Sequence, residues 1–263
     1  DTGLAEIPVG ILDKLTKVTS VQSLFEDCVN IVMVPDRLFA NCIAVTDFSN
    51  VFAGCSGIKT LGSRLFSASA QNLSSAFSGC SSLAAIPEDI FSGLTEVINF
   101  NNVFEDCTSI VSVPAGLFKD NTKVTNFQYA FKGCEKLVTV GDPDDPDGCI
   151  FKYAPDAEDF GYVFQSCSSL ERIPAHSFSN NKKVTSFQCT FDECRSLTGE
   201  SPYAEVEVDV TADDGSVSKV IKRIHLYERE QFPEVFTEPY SYSYCFFGCE
   251  KLSDYNNIPY SWN

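Results

Sequence analysis

A chain of 263 residues has room for one elongated unit or two compact domains, and a hydrophobic content of 44% is ample for a packed core, which excludes a disordered acidic tail. The 36 acidic and 19 basic side chains leave a formal charge of -17, which argues against binding nucleic acid through phosphate contacts. Twelve cysteines and 22 phenylalanines, beside one Met, one Trp and two His, need a cause.

The chain opens on Asp1-Thr2-Gly3 with no basic and apolar signal segment, and no run approaches the ~18 apolar residues of a membrane helix. Residues 4 to 12 already read as the middle of a repeated unit, so the expectation is a mature or trimmed form with any signal or lipid anchor upstream. From Cys28 onward the repeat is plain. Cys28, Cys55, Cys80, Cys107, Cys134, Cys167, Cys194 and Cys249 are spaced 27, 25, 27, 27, 33, 27 and 55 residues apart. With each of these cysteines as slot 0, slot -3 is phenylalanine in all eight units, from Phe25 to Phe246. Slot -10 favours Val and slot -7 favours Phe. Slots +3 and +6 are aliphatic, with Pro35, Pro87, Pro114 and Pro174 at +7, and Phe39, Phe66, Phe91, Phe118 and Phe178 at +11. Phe151 joins the +11 series if a six-residue insertion lies between Val140 and Ile150, and 19 of the 22 phenylalanines are then in register.

The apolar spacing from -10 to +3 runs 3, 4, 3, 3, the signature of an amphipathic helix. Composition objects, because Ser, Thr, Asn, Gly and Phe are mediocre or poor helix formers. A residue before proline is pushed toward extended geometry, which favours a strand over +3 to +6. Each unit is therefore read as a short strand at +3 to +6, an arc or short helix from the proline, an extended piece at -10 to -7, and a short helix through Phe-x-x-Cys. A single unit cannot bury its apolar face, so the units must stack. At a rise of about 4.8 Å, nine of them span about 40 Å.

Residues 141 to 149 (Gly-Asp-Pro-Asp-Asp-Pro-Asp-Gly-Cys) form an acidic, turn-rich insertion. Oxygen ligands of this sort hold calcium, and Asp145 and Asp147 are the candidates, but prolines break the alternation a calcium loop uses. A solvated loop is the plainer reading, and no cofactor or other metal is expected. Val206, Val208 and Val210 alternate with acids before the turn at Asp214-Gly215, and Val217 to Tyr227 is again rich in β-branched residues, the mark of a hairpin inserted at about 203–230. Residues 250–263, with Ile258-Pro259-Tyr260-Ser261-Trp262, read as a C-terminal cap on the last unit of a single domain over 1–263.

The repeated Val-Thr-x-Phe-x-x-x-Phe-x-x-Cys-x-x-Leu-x-x-Ile-Pro line is clearest at Val124 to Val140, Val97 to Pro114 and Val184 to Leu197. It resembles the BspA-like leucine-rich repeat family of bacterial cell-surface proteins over residues 4 to about 200 and about 239 to 259. The resemblance implies an α/β fold: a right-handed leucine-rich-repeat solenoid of about eight to nine stacked units of ~27 residues, with short parallel strands and short helices, plus the hairpin. Members are secreted or surface-exposed proteins of gut and oral anaerobes and of some protozoa, and certain ones act as adhesins. The implied role is a non-enzymatic, extracellular or cell-surface interaction protein that binds a host protein or another cell through a solenoid face. Glycan capture is the alternative within binding.

The eight slot-0 cysteines read as a buried thiol ladder, because free cysteine behaves as a small hydrophobe. Cys42, Cys149, Cys189 and Cys245 lie outside that slot, and the sequence leaves their disulfide status open. No pair of Cys-x-x-Cys motifs points to zinc. His176 and His225 neighbour no candidate nucleophile by motif, and no phosphate loop, dinucleotide fingerprint or nucleophile elbow occurs, so no enzyme is expected. A carboxylate pair assembled from successive turns, as in a glycoside-active enzyme, is the alternative of another class. Slot -5 changes along the chain from small polar residues to Tyr129, Tyr162 and Tyr244. The expected ligand-binding residues are Tyr129, Tyr153 and Tyr162, beside the acidic loop, in a monomer whose partner is a protein or glycan.

Overall fold

The computed structural model describes residues 3–263. The expected α/β solenoid of stacked short strands and short helices is not what forms. Among the described residues there is no α-helix, and helical geometry is confined to four 3-10 turns at Phe151–Tyr153, Leu226–Gln231, Tyr255–Asn257 and Tyr260–Trp262. Regular strands make two sheets of two strands each. β1 (Ser112–Val113) and β2 (Thr139–Val140) are parallel, and β3 (Tyr203–Thr211) and β4 (Val217–His225) are antiparallel. Elsewhere the units are built of turns.

The helix expected through Phe-x-x-Cys fails for a backbone reason. Slot -5 has φ between 51° and 62° in all eight units (Ser23, Asn50, Ser75, Asn102, Tyr129, Tyr162, Cys189, Tyr244), and slot -1 is also left-handed (Asp27, Gly54, Gly79, Asp106, Gly133, Ser166, Glu193, Gly248). A left-handed residue at every fourth position stops a right-handed helix from propagating. It also turns alternate N–H groups sideways. In the unit of Cys55, Phe48, Asn50, Phe52 and Gly54 donate to the next unit's Asn72, Ser74, Ala76 and Ser78 carbonyls at 2.9, 2.9, 2.9 and 2.7 Å. Val51, Ala53 and Cys55 instead donate three residues back, to Phe48, Asn50 and Phe52 at 3.1–3.2 Å. The apolar 3, 4, 3, 3 spacing therefore belongs to tandem turns that mimic a helix in pattern only.

Between units one run of single parallel bridges passes through slot -8 (Ser20, Asp47, Asn72, Asn99, Asn126, Asp159, Ser186 and Ser241), and a second, interrupted run passes through slot +5, where Met33 pairs with Thr60, Ser112 with Thr139 and Thr139 with Arg172. Asn and Asp suit this slot because the side-chain oxygen accepts the N–H two residues on. Asp47 accepts from Ser49 at 3.1 Å, Asn99 from Asn101 at 2.9 Å, Asn126 from Gln128 at 2.8 Å and Asp159 from Gly161 at 2.7 Å. The amides of Asn72 and Asn99 also donate to the side chain one unit earlier, at 3.1 and 3.3 Å.

The core consists of phenyl columns. The slot -3 rings from Phe25 to Phe246 stack on one another at 5.2–5.8 Å with interplanar angles of 2–18°. The +11 rings form a second column in which Phe151 lies between Phe118 and Phe178, at 6.3 and 5.5 Å. Beside them run the thiols. All twelve cysteines are free and buried. From Cys55 onward each slot-0 thiol donates to the slot -3 carbonyl of the preceding unit, as Cys107 does to Phe77 O at 3.1 Å and Cys194 to Phe164 O at 3.1 Å. Burial pushes these thiols up, Cys55 to about 12.

Slot +14 shows how one hydrogen-bonding job is filled by different residues. The Asn121 amide donates to Phe91 O and Leu94 O at 3.2 and 2.9 Å, and that of Asn181 to Phe151 O and Ala154 O at 3.0 and 2.7 Å. For the next unit the job passes to Arg229, 1% exposed, which donates to Phe178 O at 2.7 Å and Asn181 O at 2.9 Å from between the rings of Phe187 and Phe236. Burial pulls its guanidinium down to about 9. At the end of the chain, Trp262 O accepts the Phe246 N–H at 3.0 Å while its indole stacks on Tyr242 at 4.6 Å.

Candidate functional site

The stretch from slot -8 to slot -1 offers an open face in which every unit presents the same backbone and a different side chain. Its richest part runs from Asn102 to Phe247. Tyr129 and Tyr162 are half-buried and stacked, with ring centroids 4.6 Å apart and planes 14° from parallel. Lys132 Nζ lies 5.2 Å from the centre of the Tyr129 ring and 3.2 Å from Glu105 Oε1, and the Asn102 amide donates to the other oxygen of Glu105 at 2.5 Å. Gln165 donates to Asp192 Oδ2 at 2.7 Å. Burial, with the neighbouring Glu105 carboxylate, raises Asp106, and burial raises Asp192. The Tyr162 phenol is pushed up to about 12 by burial and by Cys189, the slot -5 residue of the following unit. Past Cys189 the strip ends in exposed Tyr244 and Phe247, edge to face at 5.9 Å. Chemically this is a surface of ring edges, amides and carboxylates, suited to holding a partner by contact and hydrogen bonds.

The structure brings together two of the three tyrosines singled out in the sequence. Tyr153 lies in the 3-10 turn after the acidic loop, with Lys152 Nζ 5.2 Å from its ring, and among the described residues no ring contact joins it to Tyr129 or Tyr162. The acidic loop is tied to the following unit: Arg172 pairs with Asp144 at 2.7 Å and His176 Nδ1 with Asp147 Oδ1 at 3.0 Å. Asp145 Oδ1 accepts the Asp147 N–H at 3.0 Å, so a cation at Asp145 and Asp147 would compete with that N–H for Asp145 Oδ1 and with His176 for Asp147 Oδ1. Among the described residues, no group of three or more His, Cys, Asp or Glu side chains is placed to hold a metal.

A second polar cluster escaped the sequence. Ser201, His225 and Asp254 meet at the base of the hairpin: Ser201 Oγ donates to Asp254 Oδ2 at 2.5 Å and, its proton so used, accepts from His225 Nδ1 at 2.9 Å. Ser201 N–H and Tyr227 O–H also donate to Asp254, at 2.9 and 3.3 Å, and His225 Nε2 lies 3.3 Å from Glu200. The imidazole thus stands between Ser201 and Glu200, but Ser201 is fully buried, out of reach of a substrate, and gives its proton to Asp254 rather than to His225. The cluster pins hairpin to last unit. Its members lie 24 and 53 residues apart in sequence, a separation with no local signal. The polar residues of slots -8 and -2, Asp159, Glu105 and Lys132 among them, were equally unmarked, although Asn or Asp recurring at -8 was a usable sign.

No family model matches the chain. No curated protein matches it, so the likeness to BspA-like proteins rests on the repeat lines alone. Among solved structures, the chain is similar to a leucine-rich repeat protein from Bacteroides ovatus. The two share 15% identity over 74% of this chain and 69% of that one, with a TM-score of 0.26, a superposition too loose to carry an argument about function. Among the described residues no helix is long and apolar enough to cross a membrane.

Proposed function

We propose that this chain is a non-enzymatic interaction protein, adhesin-like and acting outside the cell or at its surface, which holds a protein partner against the face of slots -8 to -1. The observation that supports this reading is the slot -5 series. One left-handed backbone position is repeated in eight units and carries Ser, Asn, Tyr or Cys, so side-chain identity varies while geometry does not. Fixed geometry with variable side chains is how repeat proteins build recognition surfaces. A glycan partner is a second reading, favoured by the Tyr129–Tyr162 stack flanked by the amides of Asn102 and Gln165. The test replaces the rings without disturbing the backbone. Tyr129→Asn with Tyr162→Asn installs the residue that slot -5 already holds at Asn50 and Asn102, and Tyr153→Ala is made separately. Capture is compared on a glycan array and in a pull-down against matrix proteins. Loss of capture in the double variant supports the reading, and capture unchanged in both variants removes it.

A further inference from the structure

We propose that the open edge of β3 is a second binding site, which takes up an extended peptide of alternating basic and apolar residues as an added strand. At the base of the hairpin, Tyr203 N–H donates to Ala175 O at 3.0 Å, across the edge away from β4. The two-residue period of a strand then puts the N–H and C=O groups of Glu205, Glu207 and Asp209 on that same outer edge. Beyond Tyr203 the edge parts from the repeat units. A cavity of about 380 Å³ opens between Glu205, Glu207 and the side chains of His176, Asn180 and Lys182. A second, of about 480 Å³, continues past Asp209 against Phe232, Glu234 and Val235. The edge has two distinct faces. Glu205, Glu207 and Asp209 lie on one, and Val206, Val208 and Val210 on the other, where Val206 packs with Phe232, Val235 and Phe236.

β4 shows what sequence such an edge accepts. In its register Arg223 stands opposite Glu205 and Lys219 opposite Asp209, while Ile221 stands opposite Glu207, whose carboxylate is met diagonally by Lys219 Nζ at 2.6 Å; on the other face Val220 stands opposite Val208 and Lys222 opposite Val206. A peptide with basic residues facing Glu205, Glu207 and Asp209 and apolar residues between them would repeat the acid–base pairing on the free side and leave no acid facing an apolar group. Charge also decides against a second copy of the chain. Two β3 strands paired antiparallel about Glu207 set Glu205 against Asp209, and two β4 strands paired about Ile221 set Lys219 against Arg223. A β3 to β4 contact between copies would have to bring together two chains of charge -17.

The test uses the full chain and a fluorescent nine-residue peptide of alternating Lys and Val, with a peptide of the same composition but clustered lysines as comparison. The alternating peptide is expected to bind at least about tenfold more tightly by anisotropy. Glu205→Gln, Glu207→Gln and Asp209→Asn together should weaken it about tenfold and flatten its salt dependence. Glu207→Pro, which removes an outward N–H and leaves the β4 ladder intact, should abolish it. Equal binding of both peptides, or binding unchanged in the triple variant, overturns the proposal. So does sedimentation showing that the chain associates with itself and that the triple variant does not.

Discussion

If the phenyl columns hold the units together as stacked rings rather than as interchangeable apolar filler, neighbouring rings must be energetically coupled. Phe104 is the best place to ask. It is fully buried, 5.4 Å from Phe77 and 5.7 Å from Phe131 in its own column and 6.0 Å from Phe91 in the other. Truncation to Ala removes the ring and leaves a cavity, a cost of about 3–5 kcal/mol. Phe104→Leu keeps most of the apolar volume and should cost less than about 1.5 kcal/mol. What Leu cannot keep is the ring geometry, worth about 0.5–1.5 kcal/mol per pair. A double-mutant cycle isolates it. Phe77→Leu combined with Phe104→Leu should show a coupling of about 0.5–1.5 kcal/mol, while Phe77→Leu with Phe164→Leu, three units away, should be additive within about 0.5 kcal/mol. Urea unfolding with linear extrapolation gives the four stabilities of each cycle. A coupling between neighbours no larger than that between the distant pair would refute the stacking argument and leave burial alone to explain the phenylalanines.

Other expectations follow from the same backbone and the same burial. A thiol reagent at mildly alkaline pH should label none of the twelve cysteines in the native protein and all of them after unfolding in guanidinium, because every thiol is buried and burial holds those of the ladder from Cys55 onward protonated. Ser75 sits at φ 55°, so Ser75→Val should lower stability by about 1–3 kcal/mol while Ser75→Gly changes it by less than about 1 kcal/mol. The neighbouring Ala76 lies outside the left-handed region and is buried, so Ala76→Gly should not be tolerated in the same way. Folded Asp106, its carboxyl raised by burial and by Glu105, binds a proton more tightly than the unfolded chain does. Its charge therefore destabilises the protein above the raised value, and the penalty fades as pH falls from there into the ordinary carboxylate range. Because Asp106 is solvent-exposed and its charge screened, Asp106→Asn should unfold at only a slightly higher temperature than the wild type at neutral pH, and the difference should close on acidification.

The period and its filling were legible because Phe at -3 and Cys at 0 recur through eight units, and a residue buried in every unit tolerates little variety. The element type was misread for an equally physical reason. Tandem turns of alternating hand place apolar side chains at intervals of three and four, as a helix does. The distinguishing sign was in the polar slots, where Ser, Asn, Asp and Gly at -5 and -1 are the residues that tolerate a left-handed backbone. Tyr129 and Tyr162 were found because they share slot -5. Tyr153 was grouped with them by nearness in sequence to the acidic loop, which says nothing about which side of the unit it faces. Arg229 filling an asparagine's slot, and Ser201 meeting Asp254 across 53 residues, depend on long-range packing that no window of sequence contains.

The alternating direction of the backbone bonds has a consequence for how such a chain changes length over generations. Each unit gives N–H groups forward from slots -7, -5, -3 and -1 and backward from slot -9, the same set at each junction, so removing or duplicating one whole unit preserves the backbone bonding of every junction. Irregular lengths, by contrast, fall outside the turns from slot -8 to slot 0. The 25-residue interval loses its two residues between Phe66 and Ala70, the 33-residue one gains its six between Val140 and Phe151, and the 55-residue one carries its hairpin between Leu197 and Ser241. The turns from slot -8 to slot 0 act as a fixed gauge, and the arcs are where recombination can add or trim material without cost to the register.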